Sequence, residues 1–155
     1  MIVWLASYPR SGNTFFRIIL NSAFNIKTYS IYDDKSDIGA SKKMSETVGH
    51  TFLPDDFDLI EARRENKVYY IKTHELLDER VESVDKVIYL IRDGRESVLS
   101  YTIQQNGKNR EKFDKEKSIS DTIYGNTVMN NIGTWGEHIE SWASRKGKKF
   151  LLIKF

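Results

Sequence analysis

Four short runs of apolar residues, rich in β-branched and aromatic types, punctuate this chain at roughly 2–7, 68–73, 86–91 and 149–154. Ile2-Val3-Trp4-Leu5-Ala6 and Val87-Ile88-Tyr89-Leu90-Ile91 are almost continuously apolar. Runs of this length predict strands buried on both faces rather than half-exposed ones. Between them the period changes. Phe16-Arg17-Ile18-Ile19-Leu20, continuing to Phe24, spaces its apolar residues as an amphipathic helix does. Helices are predicted at about 13–25, 55–66, 94–105 and 130–145, the second opening where Pro54 precedes Asp55-Asp56. Strands alternating with helices predict an α/β fold, a three-layer sandwich around a central parallel sheet with strand 2–7 in the middle. The stretches 27–51 and 106–121 are polar and read as the least structured. The mixed-charge run Asn106-Gly107-Lys108-Asn109-Arg110-Glu111-Lys112 reads as a solvated loop.

The first strand runs into Ser7-Tyr8-Pro9-Arg10-Ser11-Gly12-Asn13-Thr14-Phe15, and the helix follows directly. A strand-turn-helix of this kind aims free backbone N–H groups and a helix dipole at one point, which favours an anion. Gly12 permits close approach, Ser11 and Thr14 add hydroxyls, and Arg10 adds a fixed charge. An ordinary turn with a Ser or Asn cap fits the run equally well taken alone. The standard phosphate loop G-x-x-x-x-G-K-[ST] does not fit, because there is one glycine and no Gly-Lys pair.

Two further strands end in polar clusters. Val68-Tyr69-Tyr70-Ile71 leads into Lys72-Thr73-His74, and Val87 to Ile91 leads into Arg92-Asp93-Gly94-Arg95. Ser100 lies eight positions after Arg92, about two helical turns. Ligands of open parallel sheets bind at the carboxyl ends of strands, where these three clusters converge. His138 sits between Trp135 and Trp142 at helical spacing and reads as part of a packed aromatic face. His50 reads as a surface residue, and Trp4 and Tyr89 as core. Asn13 serves a helix terminus as readily as a ligand.

Together these segments resemble the PAPS-dependent sulfotransferases, which move a sulfuryl group from 3′-phosphoadenosine-5′-phosphosulfate to an acceptor hydroxyl or amine. Tyr8 through Phe15 resembles the family's 5′-phosphosulfate loop, Lys72-Thr73-His74 its catalytic-histidine segment, and Arg92 through Ser100 its 3′-phosphate motif. Gly133-Thr134-Trp135-Gly136-Glu137-His138-Ile139-Glu140-Ser141-Trp142 is similar to a segment of the cytosolic-type members. The resemblance implies a P-loop-like fold. It implies His74 as general base, Lys72 and Arg10 as charges on the transferred group, and Arg10, Ser11, Gly12, Asn13, Thr14, Phe15, Arg92 and Ser100 as PAPS ligands. The family usually carries lysine at Arg10 and tryptophan at Phe15. It also continues past the last strand, so the chain is expected to be a single domain, 1–155, of a short or C-terminally truncated member. Arg145-Lys146-Gly147 resembles a late family motif but precedes that strand, and reads as a helix end. The acceptor is expected to be a small molecule or carbohydrate.

Composition narrows the rest. The chain has 155 residues, 39% of them hydrophobic and 30% charged, with a net charge of +2 and no cysteine. That charge is too balanced to argue for nucleic acid, and a cysteine nucleophile or disulfide scaffold is excluded. No metal-ligand spacing and no hydrolase triad is visible. No apolar run is long enough to cross a membrane, and Met1 to Leu5 lacks a basic leader, so no membrane association and a cytoplasmic location are expected. A small-molecule kinase remains the alternative. It would need Mg²⁺ held by a strand-end acid such as Asp93, and the missing Gly-Lys pair counts against it. A fragment that binds PAPS or its product without turnover is the third reading.

Overall fold

A computed structural model describes residues 1–32, 38–107, 114–127, 129, 131–145 and 149–155. Most of the charged run 106–112, with Lys146 and Gly147, lies outside the described residues. Among the described residues five strands form one sheet: β1 (Ile2–Ser7), β2 (Tyr29–Ser30), β3 (Tyr69–Thr73), β4 (Lys86–Ile91) and β5 (Phe150–Lys154). Their order is β2-β3-β1-β4-β5, with every pairing parallel. The central position expected for strand 2–7 is what the fold adopts. The register places Ala6 beside Thr73 and Ser7 beside Leu90, so β1, β3 and β4 end level.

Among the described residues six α-helices accompany the sheet: α1 (Asn13–Phe24), α2 (Lys42–Val48), α3 (Leu59–Arg64), α4 (Gly94–Asn106), α5 (Lys115–Ile123) and α6 (Trp135–Ala143). All six residues of β1 are buried, because helices cover both faces. Ile2, Trp4 and Ala6 pack with Ala62 of α3 and Trp142 of α6, while Val3 and Leu5 pack with Leu20 of α1. This is the three-layer α/β arrangement that near-continuous apolar strands require. The indole N–H of buried Trp4 donates to Asp85 at 3.0 Å, and Arg63 donates to both oxygens of that carboxylate at 2.9 and 2.8 Å. Burial pushes the Asp85 carboxyl up, but the hydrogen bonds from Arg63 and Trp4 outweigh it and hold the group below its usual value.

Several expectations need correction. The second predicted helix opens at Asp58, not after Pro54, because the Asp58 carboxylate accepts from the N–H groups of Ile60 and Glu61. The fourth begins at Trp135 rather than 130, where Thr134 and Glu137 form a reciprocal capping box. The stretch 27–51, read as among the least structured, carries β2, a 3₁₀ turn at Ile38–Ala40, and α2, capped by Ser41 and ended by Gly49 at φ 68°. The following polar stretch likewise holds α5. No helix among the described residues is long and apolar enough to cross a membrane.

Candidate functional site

The three strand ends open into one pocket of about 1080 Å³. Its polar wall includes Arg10, Gly12, Thr14, Lys72, His74 and Arg92, brought together from three separate segments. The apolar wall includes Ile18, Ile38, Met44 and Met129.

At the end of β1 the chain turns through two left-handed residues, Arg10 at φ 65° and Gly12 at φ 92°. The φ of Gly12 favours glycine, and a side chain there would crowd the ring of Phe155 at 3.0 Å. Gly12 is also the N-cap of α1, and no side chain caps that helix or places an acid in its first turn. The other five described helices each have a side-chain oxygen on their first N–H groups. The first amides of α1 have no intrahelical acceptor and sit at the positive end of its dipole, which suits a bound anion.

Two expected ligands turn inward. Asn13 is buried and donates to Leu5 O at 3.0 Å and to Ser7 Oγ at 3.1 Å, tying the helix start to the strand end. Ser11 is wholly buried, with its Oγ 3.3 Å from Ser97 Oγ. Their side chains tie the turn to the strand end and to α4, although Asn13 still borders the pocket. Phe15 is 57% exposed and meets Phe155 edge-on, at 5.9 Å between centroids.

Arg92 and Ser100 both contact Arg10. Arg10 Nε donates to Ser100 Oγ at 3.0 Å, and Arg92 Nη1 donates to Arg10 O at 3.3 Å. Arg92 also pairs with Glu96 at 2.8 Å, so an anion arriving there competes with a surface carboxylate. The pair Asp93–Arg95, left ambiguous by the sequence, is a local ion pair at 3.0 Å whose carboxylate also caps α4.

His74 follows β3 and is half-buried beneath the ring of Tyr32, stacked at 6.2 Å and 18°. Its Nδ1 lies 2.8 Å from Ser7 O, an atom that can only accept. The neutral ring therefore carries its proton on Nδ1 and keeps a lone pair on Nε2. Burial, and then the charge of Lys72, push its pKa well below the ordinary histidine value, against a smaller upward pull from the Ser7 carbonyl. At neutral pH the ring is uncharged. The Lys72 ammonium is buried and lies 5.4 Å from the centre of the Tyr32 ring.

Sequence reasoning missed Tyr32. Its hydroxyl accepts from the His74 N–H at 2.8 Å while its ring lies against both His74 and Lys72. A tyrosine in a polar stretch 42 residues away carries no local signal of this contact. His50 is buried rather than superficial, with Nδ1 2.9 Å from Arg17 Nη2. His138 lies in the aromatic face as expected, edge-on to Tyr8 and stacked on Tyr89. It also makes hydrogen bonds that spacing alone does not reveal. Among the described residues no group of three or more His, Cys, Asp or Glu side chains could hold a metal ion.

The family profile described as "Sulfotransferase domain" matches residues 2–155. The chain belongs to the sulfotransferase-domain family. It is 27% identical over 167 residues to flavonol 3-sulfotransferase of Flaveria bidentis, covering 99% of this chain and 50% of that protein. It is 28% identical over 141 residues to WSCD family member CG9164 of Drosophila melanogaster, covering 90% of this chain and 39% of that protein. The chain thus spans half or less of the length of the curated relatives it matches. Among solved structures, mouse sulfotransferase SULT7A1 complexed with PAP is similar at TM-score 0.62 and 21% identity, over 99% of this chain and 50% of that one. Retinol dehydratase in complex with androsterone and the inactive cofactor PAP is similar at TM-score 0.57 and 20% identity, over 98% of this chain and 53% of that one. These likenesses establish the α/β fold.

Proposed function

We propose that this chain binds PAPS and transfers its sulfuryl group to a hydroxyl or amine of a small acceptor. The observation that carries the reading is the uncapped start of α1, open beside Arg10, Lys72 and His74 in one pocket. Family membership and relatives solved with PAP support it.

In this reading the amides of the 10–14 turn and Thr14 hold the 5′-phosphosulfate, with Ser11 and Asn13 shaping the turn from within. Phe15 offers a ring to the adenine. Arg92 and Ser100 take the 3′-phosphate and select PAPS over AMP or ADP. Nε2 of His74 accepts the acceptor's proton as its oxygen or nitrogen attacks sulfur. The bond from sulfur to the 5′-phosphate oxygen breaks, and the electron pair leaves on that oxygen. Arg10 and Lys72 oppose the charge that develops there, and such donors in a water-poor site are each typically worth about 3–4 kcal/mol in the transition state. Ile18, Ile38, Met44 and Met129 favour an apolar alcohol, phenol or amine over a carbohydrate. The cytoplasmic location implied by the resemblance to cytosolic-type members belongs to the same proposal. None of these steps requires a metal ion.

A thermal-shift series tests the reading. 3′-Phosphoadenosine 5′-phosphate should stabilise the protein more than AMP or ADP, by an increment that depends on Arg92. Equal shifts from AMP and the bisphosphate would overturn it, and a larger shift from ATP with Mg²⁺ would favour a kinase instead.

A further inference from the structure

One face of α6 meets the chain just beyond β3, peptide by peptide. His138 Nε2 lies 3.1 Å from His74 O, Trp142 Nε1 donates to Glu75 O at 3.0 Å, and Ser141 Oγ accepts from Leu77 N at 2.9 Å. Asn131 O, just before the helix, accepts from Leu76 N at 2.7 Å. Four consecutive residues, 74–77, are therefore held by one helix and its approach. The arrangement fixes where the residue at its head stands.

The chemistry at His138 is specific. His74 O can only accept, so Nε2 of His138 must carry a proton. Its Nδ1 then holds the lone pair, and the Tyr89 hydroxyl, 2.8 Å away on β4, donates to it. One neutral tautomer satisfies both contacts, and His138 is completely buried between Tyr8 and Tyr89. Burial lowers its pKa to about 4, which keeps that tautomer uncharged at neutral pH.

We propose that His138, oriented by Tyr89, is a positioning residue for His74: through the His74 carbonyl it fixes the backbone from which the imidazole reaches the pocket. The His74 main chain is then held on both sides, its N–H by Tyr32 and its carbonyl by His138, while Ser7 O holds Nδ1. Three partners from three different elements leave the imidazole one orientation, with Nε2 as the base. The proposal rests on the reading of His74 as the sulfuryl-transfer base.

The test compares His138→Gln with His138→Leu. The Gln amide nitrogen stands where Nε2 does and can still donate to His74 O, whereas Leu cannot. With turnover measured on a phenolic acceptor, His138→Leu should lose at least ~10-fold in kcat with KM for PAPS and PAP affinity unchanged, and His138→Gln should stay within about threefold of the parent. In parallel, ¹⁵N imidazole spectra should show His138 of the parent protein as the Nε2–H tautomer at pH 7. The His74 signals should shift or broaden in the Leu variant only. A His138 found as the Nδ1–H tautomer, or a Leu variant with parental His74 signals or parental kcat, overturns the proposal. If the parent neither turns over nor binds PAP, the sulfotransferase reading fails by itself, and the His74 spectra still decide the brace. If the Leu variant does not fold, the tautomer of the parent decides.

Discussion

Two strand-to-helix turns leave the same edge of the sheet, and they are built oppositely. Where β1 passes into α1, the helix starts at Gly12 with no side chain on its first amides and no acid in its first turn. Where β4 passes into α4, the Asp93 carboxylate accepts from the N–H groups of Arg95 and Glu96, and Glu96 adds a second negative charge. The first turn offers a backbone anion site. The second has spent its amides on its own cap, so only side chains, Arg92 and Ser100, can meet an anion there. Identical topology thus yields two candidate anion sites of different physical kinds, and Arg10 of the first turn hydrogen-bonds Ser100 and Arg92 beside the second.

His74, at the third strand end, lies outside both subsites and provides the widest separation. His74→Ala should lower kcat by roughly 10²–10⁴-fold while PAP affinity stays near parental, since a base acting in the transition state adds little to ground-state binding. A turnover assay with parallel calorimetry checks this, and near-parental turnover would remove His74 from the role. Gly12→Asp attacks the backbone subsite by placing a carboxylate at the uncapped helix start. PAP and AMP should both bind roughly 100-fold more weakly or worse. Gly12→Ala, which brings only the strain at φ 92° and the contact with Phe155, should cost less. Binding unaffected by either change would show that the α1 amides are not the site.

Arg92→Ala attacks the side-chain subsite. It should weaken PAP by about 1.5–3 kcal/mol, the range for a charged hydrogen bond, and leave AMP unchanged. A loss common to both nucleotides would erase the distinction between the turns. The smallest effect is expected from Asp93→Ala, which uncaps α4 and should lower Tm by about 2–4 °C with PAP affinity almost unchanged. Acid does the same reversibly. The hydrogen bond from Arg95 holds the Asp93 carboxyl at about 2, below its usual 3.8. Its folded pKa is depressed, so the cap is complete above about pH 3.8 and lost as pH falls through about 2. Amide exchange at Arg95 and Glu96 should accelerate across that window. The α1 start has no titrating cap and should show no matching step.

The legible parts of the chain were those whose physics is local. A strand buried on both faces must be apolar along its length, and β1, β3, β4 and β5 lie within a residue or two of the runs that announce them. The turn from Arg10 to Thr14 and the segments ending at His74 and Arg92 were legible as candidates. Their convergence follows once the strands are parallel and end level. The helix start at Asp58 was obscured by Pro54-Asp55-Asp56, a signal of the same kind four residues earlier, and capping geometry chose between them.

What the sequence determined by itself, then, is the α/β class, the central place of the first strand and the residue types at the polar strand ends, because periodicity and turn chemistry act between near neighbours. The tertiary structure alone decided which side chains face the pocket. Ser11 and Asn13 turn inward because Ser97 and the end of β1 offer partners there. Tyr32 and His138 reach His74 from 42 and 64 residues away. Contacts of that separation exist only after the sheet has assembled. No local pattern encodes them, since a tyrosine in a loop or a histidine in an aromatic face looks the same whether or not a strand end waits opposite.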